Sequence, residues 1–342
     1  MKKKCIVLYS GGLDSILAVK LMQEQSVDVV AVYFCTPFFG ADVLFDPEKH
    51  GEYHWKTYGI RITPYDFTED IIDAVSGPEH GFGKHLNPCI DCKIRMLKRA
   101  RLMLEETDAS FVVTGEVLGQ RPMSQRRDAM NLIEKKSGLK DILLRPLCAK
   151  HLPPSLPERS NIIDRGQLLD AAGRGRKIQI ELALKYGIEP STIPNPAGGC
   201  LLTDEQISRK IRSTFERFRP GKPARADIVL DTAGRKFMLD ENTVLVISRS
   251  EDENRFLASQ VWPGNVFLKI ADVPGPLGII RGALSEENLR RAAALCLRYG
   301  KGRGTDGRMA VYGPDPQAMT ATIDAPVAKE DFCKRFQIDL SK

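Results

Sequence analysis

The sequence predicts an α/β protein: a parallel sheet covered by helices on both faces, followed by a smaller α+β domain. Three observations predict it. Residues 5–9 are a short apolar run of β formers that ends at Ser10-Gly11-Gly12. Residues 14–25 then carry apolar side chains at helical spacing, and residues 29–34 form a second β run. Strand, glycine turn, helix and strand make one βαβ unit, which implies parallel pairing. The texture changes only after Arg219-Pro220-Gly221-Lys222-Pro223, which reads as an interdomain linker.

The later elements continue the alternation. A helix is expected over residues 89–106, a strand at 111–113, a polar helix near 125–137 and a strand at 142–144. Pro153, Pro154 and Pro157 interrupt the pattern before a helix expected over 165–186. Pro190, Pro194 and Pro196 break it again, and Thr203 followed by Gln206 reads as a capping box opening a last helix to about 218. Beyond the linker come short strands at 228–230, 243–248, 266–270 and 309–312, and a helix from Ser285 as N-cap through 297. The expected domains are 1–218 and 225–342, joined by the linker 219–224.

Of the 342 residues, 42% are hydrophobic and 27% charged, which excludes wholesale disorder. No apolar run approaches the roughly 20 residues of a membrane span. The N-terminal apolar run is too short for a signal-peptide core, so a cytoplasmic protein without membrane attachment is expected. In that compartment eight cysteines point to ligands, nucleophiles and buried thiols before disulfides. Cys5, Cys35, Cys296 and Cys333 lie in apolar runs or a helix and read as core thiols. Charge is uneven: residues 1–92 carry −5, residues 93–222 carry +10, and residues 223–342 carry +1. A polyanionic partner belongs on the middle third; a solvated basic face is the competing reading.

Ser10-Gly11-Gly12-Leu13-Asp14-Ser15 stands between the first strand and the first helix. Its glycines let backbone approach a phosphate, and the helix start supplies free N–H groups. Ser10 and Ser15 add hydroxyls, and Asp14 can hold a magnesium ion. No Walker lysine is present. This run resembles the ATP-pyrophosphatase, or PP-loop, superfamily, whose fold is adenine nucleotide α-hydrolase-like. The resemblance implies cleavage of ATP between the α and β phosphates, pyrophosphate held by residues 10–15, and adenine contacts near the end of the second strand at Tyr33 and Phe34.

Cys89-Ile90-Asp91-Cys92 opens a predicted helix, where dipole and free amides favour thiolate. Cys200 follows Gly198-Gly199. Three thiolates leave one iron of a four-iron cluster open, whereas structural zinc wants four ligands. A zinc site completed by Cys148, and a persulfide on Cys200 resolved by Cys89 or Cys92, remain alternatives. His50 and His54 are expected in a loop, with a surface role.

A second stretch, Val113-Thr114-Gly115-Glu116-Val117-Leu118-Gly119-Gln120 through Ser124-Gln125, with Leu144-Arg145-Pro146-Leu147, resembles 4-thiouridine tRNA synthases. The cysteine spacing is similar to that of iron–sulfur-dependent tRNA thiolases. The resemblance covers roughly residues 1–210. It implies ATP-dependent adenylation of a tRNA uridine carbonyl and sulfur transfer from a 4Fe-4S cluster held by Cys89, Cys92 and Cys200, with Asp14 and Cys200 catalytic. Gly115, Glu116, Gln120, Ser124 and Gln125 would shape the nucleotide or base pocket, and Arg121, Arg126, Arg127, Arg174, Arg176 and Lys177 the tRNA path. Sulfide or a cysteine desulfurase would supply sulfur, and a homodimer is compatible.

Those synthases carry a THUMP domain ahead of the PP-loop, which here begins at residue 10. A C-terminal rhodanese domain is not expected either. Residues 234–254 resemble the NFACT-type RNA-binding domain, which would take over tRNA docking. Arg290, Arg291, Arg298, Lys301 and Arg303 are its candidate phosphate contacts, with a solvated helix face as the alternative. A PP-loop sulfur transferase or ligase acting on a small molecule is the rival enzyme.

Overall fold

The computed structural model describes residues 2–196, 199–271, 273–300, 306–313 and 318–338. It forms two compact units, Met1–Thr203 and Asp204–Lys342.

The first unit runs β1 (Lys4–Tyr9), α1 (Leu13–Glu24), β2 (Asp28–Cys35), α2 (Ala41–Phe45), α3 (Pro47–Tyr58), β3 (Ile62–Asp66), α4 (Thr68–Ser76), α5 (Cys89–Thr107), β4 (Phe111–Thr114), α6 (Arg127–Ser137), β5 (Leu143–Leu144), α7 (Leu156–Arg159) and α8 (Lys177–Lys185). Its five strands are parallel in the order β3-β2-β1-β4-β5. Cys5, Ile6 and Val7 of the central strand are fully buried. Helices cover both faces, which is why that strand reads as an unbroken apolar run. The winding reverses between β1 and β4, and open sheets bind ligands beyond the carboxyl ends of the strands at such a reversal. Those two ends deliver Ser10 and Gly115.

The second unit runs α9 (Glu205–Arg217), α10 (Arg225–Asp231), β6 (Arg235–Met238), β7 (Val244–Ile247), α11 (Glu251–Ala258), β8 (Asn265–Ile270), β9 (Gly278–Arg281), α12 (Glu286–Tyr299), β10 (Gly307–Tyr312), β11 (Met319–Ala325) and α13 (Glu330–Phe336). Its sheet is antiparallel in the order β11-β10-β8-β9-β7-β6. Leu295, Ala292 and Cys296 of α12 pack with Leu245, Leu268 and Ile280 of the sheet. Ser285 caps α12 by accepting from the Asn288 amide.

Four expectations need correction. The units divide at 203/204 rather than after 218, because α9 is tied to the second unit: Lys210 Nζ donates to the Gly234 carbonyl at 2.7 Å, and the Thr214 hydroxyl to Asp231 at 2.6 Å. Its N-cap is Asp204, which accepts from the Ile207 amide, and not Thr203. The helix expected over 165–186 shrinks to α8, since Gly173 sits at φ +76° and Gly166 and Gly175 flank it. Residues 228–230, expected as a strand, lie in α10; burial on all sides leaves a helix and a strand with the same apolar run. Among the described residues no helix is long and apolar enough to cross a membrane.

Candidate active site

The loop after β1 is built for an anion. Gly11 takes φ +70°, and no side chain caps α1, which leaves the Leu13 and Asp14 amides for a ligand, the Ser15 amide being taken by the Gly12 carbonyl. Ser15 closes the loop on itself: its hydroxyl donates to the Gly12 carbonyl at 2.8 Å and accepts from the Ser10 amide at 3.2 Å. Ser10 is exposed, and Leu13 is buried in the core.

β4 ends against this loop. A Cβ on Gly115 would come within 2.5 Å of the Asp14 carbonyl carbon and 2.7 Å of the Ser15 nitrogen, so only glycine lets the two backbones meet. Asp14 is largely enclosed, and its Oδ1 is buried without a hydrogen-bond partner. Burial pushes its carboxyl up, while Gln120, Arg176, Gln179 and Arg121 temper the rise. Gln120 Oε1 and Gln179 Nε2 are themselves buried without partners. A buried carboxylate oxygen without a partner beside open backbone amides fits a magnesium ion bound with phosphates.

Arg176 and Arg121, both expected on the tRNA path, also lie close enough for their charges to be felt at Asp14. Arg176 is anchored by a 2.9 Å bond to the Pro194 carbonyl. Sequence reasoning missed Gln179 altogether: no local pattern separates it from other polar positions of α8. The other basic residues are dispersed. Arg126 pairs with Asp128, Arg127 donates to the His151 carbonyl at 2.9 Å, Lys177 lies 3.9 Å from Glu181, and Arg174 is exposed. In the second unit Arg290 pairs with Glu286 and Arg291 with Glu287. Lys301 and Arg303 lie outside the described residues.

Strand parity separates the two expected adenine contacts. Tyr33 faces the loop, donating to the Ser10 carbonyl at 3.0 Å. Phe34 points the other way, 3% exposed and packed edge-on against Tyr65 and Phe67. His54, expected on a surface loop, is buried on α3 beneath Gly11, where Asp46 caps the helix start and Gly59 its end. It shares a 2.9 Å hydrogen bond with the Tyr9 hydroxyl, and burial lowers its pKa to about 4. Because the folded value lies below the ordinary one, the unfolded chain binds the proton first as pH falls. The melting temperature is therefore expected to drop between about pH 6.5 and pH 4, and to drop less in His54→Gln, by scanning calorimetry.

Glu116 is a buried anchor and not a pocket residue. It accepts from Arg145 at 3.0 Å and from the Thr114 hydroxyl at 2.9 Å, with Lys93 at 3.8 Å. Burial alone would raise its carboxyl, but Lys93 and Arg145 hold it below the usual range. Arg145 also reaches Glu134 at 2.7 Å. Glu116→Ala leaves buried Arg145 with Glu134 as its remaining carboxylate and takes the neighbouring carboxylate from Lys93, and is expected to cost roughly 3 kcal/mol of unfolding free energy in denaturant titration. Ser124 and Gln125 are buried too.

The cysteines gather at the start of α5. Burial pushes the Cys92 thiol up, with Cys200 and then Cys89 adding to the rise; burial likewise lifts Cys200 to about 11, and Cys89 contributes there as well. The thiolate expected from the helix start is thus outweighed by desolvation at Cys92 until a cation joins the three sulfurs. The turn at 200–203 is held by Leu201 to the Phe38 carbonyl at 3.0 Å and by Leu86 to the Leu202 carbonyl at 3.3 Å. Cys148 stands apart, donating to the Glu116 carbonyl at 3.2 Å. Among the described residues the three sulfurs do not all fall within 4.8 Å of one another. Cys89 Sγ lies 3.7 Å from Ser124 Oγ, on the same segment that meets Asp14.

Residues 1–151 match the family described as thiamine biosynthesis protein (ThiI), and residues 234–336 the NFACT protein RNA binding domain. A probable tRNA sulfurtransferase of Thermococcus kodakarensis is 29% identical over 150 residues, 42% of this chain and 36% of the relative. The tRNA-specific 2-thiouridylase MnmA of Clostridium acetobutylicum is 32% identical over 135 residues, 34% of this chain and 36% of the relative. The chain thus spans about a third of the length of the curated relatives it matches. A crystal structure of a 4-thiouridine synthetase–RNA complex with bound ATP is 21% identical over 58% of this chain and 44% of that one, with a TM-score of 0.40. The chain is thus similar to the ThiI family over residues 1–151 and to the NFACT RNA binding domain over residues 234–336.

Proposed function

We propose that this protein is an ATP-dependent tRNA uridine thiolase, with 4-thiouridine its favoured product. One observation carries the reading: the segment after β4 meets the phosphate loop at Gly115 and the cysteine cluster at Ser124, so activation and sulfur delivery share one wall. The ThiI-type match and the curated tRNA-thiolating relatives support it.

ATP phosphates would lie on the open amides of α1, with Asp14 holding magnesium. Arg121 and Arg176 would draw charge off the departing pyrophosphate. The uridine carbonyl oxygen attacks the α-phosphate, pyrophosphate leaves, and the base carries AMP on what was a poor leaving oxygen. A 4Fe-4S cluster on Cys89, Cys92 and Cys200, when bound, supplies an open iron position for a sulfur nucleophile. Sulfur replaces the oxygen and AMP departs. Sulfide or a cysteine desulfurase is the proposed donor, the C-terminal unit the tRNA dock, and a dimer compatible with either.

Nucleoside mass spectrometry tests this on unmodified tRNA incubated anaerobically with iron-reconstituted protein, ATP, magnesium and sulfide. A 4-thiouridine peak that disappears without ATP is the expected result. Pyrophosphate release without any thiouridine would transfer the reading to a small-molecule sulfur transferase.

A further inference from the structure

The second unit contains a cavity of about 500 Å³ walled by the end of α9, the start of α10, the β6–β7 turn and the end of β9. Its charges do not cancel. Arg217 and Arg281 both line it, and both bond the same carboxylate oxygen, Asp227 Oδ1, at 3.3 and 3.0 Å. The remaining lining residues are uncharged, so the wall carries one net positive charge. Arg281 is fixed further by the Pro263 carbonyl at 3.2 Å and Asn265 Oδ1 at 3.1 Å. Arg217 Nη1 is buried without a hydrogen-bond partner, an unfavourable state that a bound acceptor would relieve.

At about 500 Å³ the cavity is too large for a lone phosphate and leaves room for a base beside one. The Arg217 guanidinium lies 4.7 Å over the Phe218 ring, and both residues line the cavity. Gly282 sits at φ +124°, where a Cβ would fall 2.2 Å from the Asn242 carbonyl oxygen. Only glycine brings β9 against the β6–β7 turn and shapes that wall. Gly264, at φ +83°, leaves its side open.

We infer that this cavity binds one nucleotide unit, its phosphate at the Arg217–Arg281 pair and its base against Phe218. The inference rests on the reading of the C-terminal unit as RNA-binding, and the source favoured is a phosphodiester of tRNA. Arg217, Phe218 and Asp227 precede the stretch that matches the NFACT domain, so the cavity is completed by α9 and α10.

Fluorescence anisotropy with end-labelled tRNA and the full chain tests it, beside calorimetric titration with cytidine monophosphate. Ala283→Glu and Asn242→Asp place a negative charge on the lining without touching either arginine. Each is expected to weaken tRNA binding about tenfold at fixed salt with an unchanged melting temperature, while Ala283→Lys does not weaken it. Loss with tRNA alone marks the RNA strand as the source; loss with the mononucleotide alone marks a free nucleotide. Unchanged affinity for both ligands in both acidic variants, or no binding of either ligand by the wild type, overturns the pocket. The outcome is separable from thiolation: sensitive RNA binding without thiouridine keeps the pocket and sinks the enzyme, and the reverse sinks only the pocket.

Discussion

Cys200→Ser is expected to lower thiouridine formation more than about a hundredfold while ATP cleavage to pyrophosphate continues. The two activities separate because the residues serving them come from different places. The phosphate loop is closed by its own Ser10, Gly12 and Ser15, and nothing in it bonds Cys200. Cys200 instead faces Cys92, whose thiol it helps to keep protonated in the absence of a cation, and its own thiol is raised by burial with Cys89 adding to the rise. Serine keeps the volume and removes the soft ligand. The reconstituted variant should lose its visible iron–sulfur absorption together with thiolation. Cys148→Ser is the contrast. Its thiol bonds the Glu116 carbonyl, so the variant should retain both absorption and product. A four-cysteine zinc site makes the opposite forecast: equal damage from both variants and one zinc per chain by metal analysis. A persulfide on Cys200 resolved by Cys89 or Cys92 forecasts lost thiolation in the variant with no iron–sulfur absorption in variant or wild type.

Much of this site was legible before any coordinates. The apolar run of β1, the glycine turn and the following helix spell a phosphate loop because a strand buried on both faces reads as an apolar run and glycines before a helix start bare its backbone amides to an anion. The Cys-x-x-Cys at α5 was equally plain. Side-chain direction at the end of β2 had a signal too: neighbouring residues of a strand turn their side chains to opposite faces, so the Phe34 ring lies in the core while Tyr33 faces the loop. Other features had no local signal. Gly115 looks like any glycine after a strand until the Asp14 backbone is seen against it. Arg121 and Arg176 lie 55 positions apart, and only the fold brings both to Asp14. His54 was read as loop because Gly51 weakens a helix, but Asp46 at the start and Gly59 at the end outweigh it. The expected helix over 165–186 erred in the other direction, since apolar spacing was given more weight than three glycines.

Asp14 and Gly115 touch, yet their replacement is expected to move stability in opposite directions while both abolish catalysis. Asp14→Asn removes a carboxylate that burial disfavours and whose Oδ1 has no partner. A raised folded-state pKa means the native carboxylate holds its proton more tightly than the unfolded one. It therefore costs stability once pH rises above the ordinary carboxylate range. The amide cannot ionise, so the variant should melt higher than wild type at neutral pH, by roughly 1–2 kcal/mol of unfolding free energy. Pyrophosphate release should nevertheless fall about a thousandfold, because the magnesium ligand is gone. Gly115→Ala leaves every titratable group in place but forces a methyl into the Asp14–Ser15 backbone. It should melt lower by about 1–3 kcal/mol and also lose ATP cleavage, since the loop must move to make room. Magnesium sharpens the comparison. Added with ATP it should raise the melting temperature of the wild type and of neither variant. A destabilised Asp14→Asn would mean that the buried carboxylate is a structural member of the loop, and its assignment to the metal would then fall.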